Sequence, residues 1–470
     1  MNLIWFRNDL RIHDNEALAE ACKDTSNLLP VYIFDPIQHE KSSFGFTKTG
    51  GFRLQFLIDS LQNLNKNLIK KGSGLILEYG DSVEILTKLV KEFNVQKVFL
   101  HEEVTSEETD VEDHLVEVLE EIGVEVKSFW GATLFHADDL PFEFDNIPEV
   151  FTAFRKKVEK YARVRPLIPV PKFIPPLPKG INKNESLRIK ESFFSIALKK
   201  PSLKSVLSFD GGEDAGLNRL EEYIWKGDHL KNYKETRNGM LGADYSSKFS
   251  AWLANGSISP RKIYHEVRRY ESERISNDST YWMIFELIWR DYFRFIHLKH
   301  GDKFFYINGL KGEATDWSQN EELFNAWKDG NTGIPFVDAN MRELNETGFM
   351  SNRGRQNVAS FLSKNLNIDW RMGAEYFESV LIDYDVCSNW GNWAYVAGVG
   401  NDPRDRYFNI VGQAQRYDTN GEYIKFWLPE LESISLENLH TPLKENNAIK
   451  YPSPIINLDK SYDEIKKRYS

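Results

Sequence analysis

Seven prolines fall between residues 164 and 201, six of them in the stretch VRPLIPVPKFIPPLPKG that ends at Gly180. Proline has no amide hydrogen and a fixed φ, so neither a helix nor a central strand passes through such a stretch. It predicts an extended connector in largely polyproline geometry, with a separately folded part on each side. A chain of 470 residues has room for two or three domains.

Before the connector, short apolar runs at 3–6, 28–34, 75–78, 98–100 and 124–129 alternate with amphipathic stretches at 52–68, 83–93 and 111–122. Continuous apolar strands between amphipathic helices predict a parallel sheet covered on both faces, a Rossmann-like doubly wound α/β domain. Ligands of such sheets sit at the carboxyl ends of the strands. Arg7-Asn8-Asp9 and His101-Glu102-Glu103 stand there, as ligand contacts or as plain loop residues. No GxGxxG or GxxxxGK[ST] follows the first strand, which argues against a nucleotide clamped by a Gly-rich first loop. Residues 101–125 hold eleven Asp or Glu and no Lys or Arg, the pattern of a solvated helix face.

From about 216 to 429 the pattern is helical, with stretches at 281–297, 323–328, 358–366 and 370–384 punctuated by Gly and Pro. No repeat of 20–50 residues marks a solenoid. The predicted organisation is an α/β domain over 1–135, an extended Pro-rich linker over 136–215, an all-α domain over 216–430 and a short polar tail over 431–470.

Formal net charge is -11, which argues against a generic polyanion binder. No apolar run is long enough to span a membrane, and the start MNLIWFRNDLR lacks the pattern of a signal peptide. Two cysteines, Cys22 and Cys387, exclude a disulfide scaffold. A reducing compartment fits: the cytoplasm of a bacterium, or an organelle or nucleus in a eukaryote. Ten of the twelve tryptophans lie beyond residue 216, which calls for stacking, electron transfer or a large core.

Three blocks concentrate chemistry. Residues 244–250 read DYSSKFS before a predicted helix; serine hydroxyls and helix-start N–H groups suit a phosphate, and they serve equally as helix caps. On the helix over 282–295, Glu286 and Arg290 have the spacing of a surface ion pair, yet Trp282, Phe285 and Trp289 surround them, which points to a lined cavity. The third block joins FMSNRGRQN at 349–357 to LIDYDVCSNWGNWAY at 381–395. There Arg355 is a natural partner for Asp383, and such a pair orients a polar cofactor without a bare buried charge. No metal-ligand cluster or hydrolytic triad stands out.

In this order and spacing the blocks resemble the photolyase/cryptochrome flavoproteins over residues 1 to about 430. YKETRNGMLGADYSSKFSAWLANGSISPR at 233–261 and HEEVTSEE at 101–108 are similar to the cryptochrome DASH subfamily. The resemblance implies FAD, held in a U shape in the helical domain. It assigns Tyr233, Ser246, Ser247, Lys248, Phe249 and Ser250 to the diphosphate and ribityl. Arg290, Asn352, Arg355, Asp383 and Asp385 fall around the isoalloxazine, ribityl and adenine, and Asn389 faces flavin N5. A neutral amide tolerates N5–H, where plant photoreceptors carry an acid and animal ones a Cys, and so favours a cycle run on fully reduced flavin. Trp393, Trp370 and Trp317 match the three tryptophans that relay an electron to the excited flavin.

The family's substrate cavity admits one flipped-out pyrimidine dimer, and flipping costs a few kcal/mol, less in a single strand. By resemblance Glu286 bonds the base edge, Trp289 is a stacking wall and Asn352 borders the cavity. Gln356 and Tyr395 stand where duplex-acting photolyases usually have Met and a second Trp. Weaker stacking, at about 1–3 kcal/mol per base, implies dimers in single-stranded DNA. Photolyases for the (6–4) lesion need a His near the substrate, and none occurs between Met341 and Phe408, which leaves the cyclobutane dimer. The implied activity is a blue-light-driven carbon–carbon lyase. The alternative is a blue-light photoreceptor using the same flavin and Trp relay; Asn389 and the short tail weigh against it. Residues 226–311 hold fifteen Lys or Arg against ten Asp or Glu, and Arg237, Arg404 and Arg406 flank the expected cavity, a basic rim for DNA or RNA on a monomeric protein. The N-terminal domain becomes an antenna domain for 5,10-methenyltetrahydrofolate, with Glu103 and Glu107 bonding the pterin.

Overall fold

The computed structural model describes residues 1–181, 196–313, 316–402, 407–445 and 449–468. Its first part is a five-stranded parallel sheet, β1 (Asn2–Phe6), β2 (Leu28–Phe34), β3 (Ile76–Tyr79), β4 (Lys97–His101) and β5 (Glu125–Phe129), in the order β3-β2-β1-β4-β5. Successive strand side chains point to opposite faces. Ile4, Phe6, Tyr32 and Phe34 therefore pack with Leu18 of α1 (Glu16–Ala21) and with Leu54, Leu61 and Leu64 of α2 (Gly51–Lys70). Leu3, Trp5, Val31 and Ile33 pack on the other side with Leu86 and Val90 of α3 (Ser82–Phe93) and Leu115 and Leu119 of α4 (Ser106–Glu121). Burial on both faces is why these strands read as unbroken apolar runs.

The strand order reverses between β1 and β4, where sheets of this type bind ligands. The chain leaves those strands toward Asn8 and Glu103, whose side chains are hydrogen-bonded at 3.0 Å. Beside them Asp9 pairs with His101 at 2.8 Å and Arg7 with Glu112 at 2.7 Å. The acidic helix α4 is thus partly engaged at its start rather than wholly solvated.

The connector over 136–215 is not one extended segment. It contains α5 (Phe151–Tyr161), whose Phe151, Phe154 and Val158, at spacings of three and four, are buried in the core of the helical part. From 162 to 181 the chain has neither helix nor strand, as its prolines demand.

The helical part comprises α6 (Glu213–Glu221), α7 (Tyr233–Thr236), α8 (Ser250–Ala254), α9 (Pro260–Glu273), α10 (Asp278–His300), α11 (Glu321–Lys328), α12 (Pro335–Thr347), α13 (Asn352–Ser360), α14 (Trp370–Val380), α15 (Val386–Ala397), α16 (Ile410–Tyr417), α17 (Glu422–Trp427) and α18 (Leu458–Arg468). Helix α10 is the spine. Its 23 residues, about 34 Å long, start at a capping box of Asn277 and Thr280. Residues 431–470 are not the polar tail expected. Leu439, Tyr451 and Ile465 are buried, and the Tyr462 hydroxyl accepts the Ile410 amide at 2.9 Å. Leu458, Tyr462 and Ile465 recur at four and three along α18, and Leu439 and Tyr451 fill slots on the helical part, whereas Leu436 is exposed.

The two parts meet along a seam of buried, paired groups. Arg261 pairs with Asp14 at 2.8 Å, and Glu213 accepts the Ile12 and His13 amides at 3.0 Å each. At Gly256 (φ +68°) a Cβ would come 1.9 Å from the Asn8 carbonyl oxygen, so only glycine permits this approach. No helix among the described residues is long and apolar enough to cross a membrane.

Candidate active site

Two adjoining cavities lie in the helical part, one of about 630 Å³ and one of about 100 Å³, with Asn352, Arg355, Gln356, Asp383 and Asp385 bordering both. Helical spacing builds the walls. Glu286, Trp289, Arg290 and Phe293 recur at three and four along α10 and share the face toward the larger cavity. Ser388, Asn392, Tyr395 and Val396 do the same along α15.

Glu286 and Arg290 do not pair with each other as their spacing suggested, because each finds a partner on another element. Glu286 is ion-paired with Arg237, and Arg290 with Asp385 at 3.2 Å. Asp385 also caps α15 by accepting the Ser388 amide at 2.8 Å. Burial works against its charge, but Arg290, Arg294 and Ser388 outweigh that and hold the carboxyl below its ordinary value. For Glu286 burial prevails over Arg237, and the carboxyl sits above the ordinary range. Across the cavity one Nη of Arg355 reaches both oxygens of Asp383 at 2.9 Å, the pairing expected from sequence.

The aromatic wall has two layers. Trp289 stacks on Phe151 with centroids 3.6 Å apart, and Tyr395 meets it edge-on at 6.0 Å. The Gln356 side-chain carbonyl accepts from Arg353 at 2.8 Å, which leaves its amide nitrogen for the cavity. The Asn389 amide nitrogen donates to the Ala374 carbonyl at 3.0 Å, which leaves Oδ1 for the smaller cavity that Asn389 borders.

Of the residues assigned to the cofactor, Tyr233, Ser247, Phe249, Ser250, Arg290, Asn352, Arg355, Asp383 and Asp385 border the larger cavity. Ser246 and Lys248 border neither. Lys248 (φ +59°) is buried with its ammonium 3.1 Å from the Tyr245 ring centroid, and burial drives it well below the usual lysine range. It props the loop from beneath, with Ser246 accepting from it at 3.2 Å. The five residues assigned to substrate, Glu286, Trp289, Asn352, Gln356 and Tyr395, all border the larger cavity. So does Arg237, whereas Arg404 and Arg406 lie outside the described residues.

Trp393 borders the smaller cavity, and Gly373 makes room for it: a Cβ there would lie 2.2 Å from the indole. Trp370 is fully buried, donates to the Ile307 carbonyl at 3.0 Å and meets Trp390 edge-on at 5.6 Å. Trp317 is partly buried against the same core. Sequence reasoning missed Ser388, Asn392 and Val396, which the three-and-four spacing around Asn389 and Tyr395 would have found. It also missed Phe151 and Arg155, because α5 was read as linker.

A third cavity, of about 530 Å³, opens between the two parts and is bordered by Asn8, Glu103, Glu107 and Glu108 on one side and Arg294, Glu378, Tyr384 and Trp390 on the other. Both acids assigned to the antenna border it. Glu103 is held by Arg294 and Asn8, and Glu107 is ion-paired with Lys48. Burial, aided by Glu103, pushes Glu108 up to about 7.

These groups suit a flavin dinucleotide: hydroxyls for a diphosphate, a paired Arg355–Asp383, aromatic walls, and one carbonyl of Asn389 left unengaged. Comparison with known proteins agrees. Residues 2–176 match the family of DNA photolyase, and 282–470 match the FAD binding domain of DNA photolyase. A cryptochrome DASH of Gloeobacter violaceus is 52% identical over 98% of this chain and 93% of its own. The crystal structure of a Synechocystis sp. cryptochrome superposes with a TM-score of 0.95 at 50% identity, over 99% of this chain and 98% of that one. That of a class III photolyase from Agrobacterium tumefaciens does so at 0.84 and 29%, over 100% and 96%. The chain belongs to the photolyase/cryptochrome family, among the cryptochrome DASH proteins, and carries that family's FAD-binding domain.

Proposed function

We propose that this chain is a blue-light-driven lyase that splits cyclobutane pyrimidine dimers in single-stranded DNA. The observation that carries the reading is that Glu286, Trp289, Gln356 and Tyr395 share one cavity with the flavin-type donor set. Bound there, a reduced flavin supplies the photoexcited electron that opens the cyclobutane ring and then takes it back.

The chain's own residues do the rest. Trp289, backed by Phe151, offers a flat wall to a base. Tyr395 presents a smaller ring than a second indole, so less stacking repays the flip, which suits strands that are already unpaired. Gln356 directs an amide donor inward, and Glu286 meets the base edge. Asn389 Oδ1 accepts from a protonated ring nitrogen without bringing a charge. In the cleft between the two parts, 5,10-methenyltetrahydrofolate is the antenna we propose, with Glu103 and Glu107 the acids that bond the pterin and Glu108 bordering the same cleft.

The test is repair of a single-stranded oligonucleotide carrying one thymine dimer by wild type and Glu286→Ala, with strand binding followed by fluorescence anisotropy. Repair falls at least tenfold, about 1.4 kcal/mol of barrier, while binding and flavin photoreduction persist. Undiminished repair by Glu286→Ala would move the chemistry away from this cavity.

A further inference from the structure

We propose that Arg237 is a latch on Glu286 that the phosphate backbone of the substrate strand releases. This rests on the repair reading and adds what switches its central carboxyl.

Glu286 has two requirements that conflict. To hydrogen-bond a base carbonyl it must donate a proton, which a carboxylate cannot do. In the strand-free protein its Oε1 accepts from an Arg237 Nη, a contact that favours the ionised form against the pull of burial. The other arginines that border or flank the cavity have partners of their own, Arg355 with Asp383 among them. Arg290, one turn along α10, is held by Asp385; Arg155 of α5 by Glu159 and Tyr281; Arg353 of α13 by Gln356 and Asn238. Tyr233 adds a neutral hydroxyl made still harder to ionise by burial and by Glu286 itself. Arg237 is therefore the one cation whose position sets the charge on Glu286.

Arg237 is also placed to leave. It lies at the cavity mouth just past the end of α7, with a fifth of its side chain exposed and its guanidinium 5.7 Å from the Trp282 ring centroid. Arg353, close enough to repel it, borders the same opening through Gln356. A phosphate outside the mouth offers a guanidinium a two-pronged, charge-assisted partner. Arg237 then exchanges carboxylate for phosphate and keeps its proton. Glu286, left without a cation on a partly buried wall that the bound strand covers further, takes one proton from water, since loss of solvent favours the neutral form. The new O–H donates to the base edge. An empty cavity thus keeps the acid ionised, and strand binding arms it.

The balance requires one proton taken up per strand bound, which calorimetry of a dimer-containing oligonucleotide in two buffers of different ionisation enthalpy reads near pH 7. Wild type takes up close to one proton. Glu286→Gln binds with none. Arg237→Gln also binds with none, because its Glu286 is already protonated, and it loses about 0.7 from the salt slope of binding, the share of one phosphate on a single strand. Arg237→Lys, which keeps the charge, retains the uptake and guards against misfolding of the glutamine variant. Strand binding by wild type without proton uptake, or uptake that survives Arg237→Gln, overturns the latch alone. Failure of wild type to bind the strand at all overturns the repair reading and the latch with it.

Discussion

The cavity in the helical part and the cleft between the two parts are both rich in charge, but they neutralise it differently. Among the described residues, each arginine that borders the larger cavity pairs with a carboxylate: Arg155 with Glu159 outside it, Arg237 with Glu286, Arg290 with Asp385 and Arg355 with Asp383. The cleft gathers Glu103, Glu107, Glu108, Glu375 and Glu378 from both domains; Glu103 and Glu107 are paired with Arg294 and Lys48, but burial pushes Glu108 and Glu378 up to about 7. The cavity is complete within one domain and suits a permanent resident. The cleft exists only where two domains meet, and its charge changes near neutrality, which suits an exchangeable one.

Removing a cation from the cavity strains the contrast most. Arg355→Ala leaves Asp383, which is 6% exposed, without its partner. We expect a loss of about 3 kcal/mol in urea unfolding and little retained flavin, whereas Asp383→Ala costs less because Arg355 reaches solvent. Equal losses would mean that the pair is not what holds this wall. Next, Trp393 borders the smaller cavity and Trp390 the cleft. Photoreduction under blue light slows roughly a hundredfold in Trp393→Phe, about 2.7 kcal/mol, and stays within about twofold in Trp390→Phe.

The cleft makes a smaller, pH-dependent contribution. A folded-state value near 7 for Glu378 lies above its unfolded value of about 4.5, owing first to burial and then to Glu107 acting against Arg53. The folded state keeps this proton longer, so stability falls as pH rises from about 4.5 to 7. Glu378→Gln removes that fall and gains about 1–2 kcal/mol at pH 8, allowing for partial exposure; unfolding curves at pH 5 and pH 8 decide it. Smallest is Lys48→Ala. Its partner Glu107 is more than half exposed, so stability changes by less than about 1 kcal/mol.

Much of this contrast was legible in the sequence, and for stated reasons. Both faces of the sheet are buried, so β1 and β2 appear as apolar runs, and the strand order places Asn8 and Glu103 at the cleft. The cavity walls follow helical spacing on α10 and α15. What stayed hidden depends on tertiary partners. Proline and charge around it masked α5, although Phe151, Phe154 and Val158 carry a helical period. By resemblance Lys248 is a diphosphate or ribityl contact, yet it is buried on Tyr245. Glu286 and Arg290 have the spacing of a pair and take partners 49 and 95 residues away. In residues 431–457 the apolar positions carry no period and pack into slots that other helices create, while the short period of Leu458, Tyr462 and Ile465 is diluted by the charges around it.

The absorption spectrum of the purified, folded protein tests the central claim most directly, because it reads both regions at once. The account predicts flavin bands in the blue at one FAD per chain that survive gel filtration, with a weaker near-ultraviolet folate band that washing removes. A folded but colourless protein would contradict it.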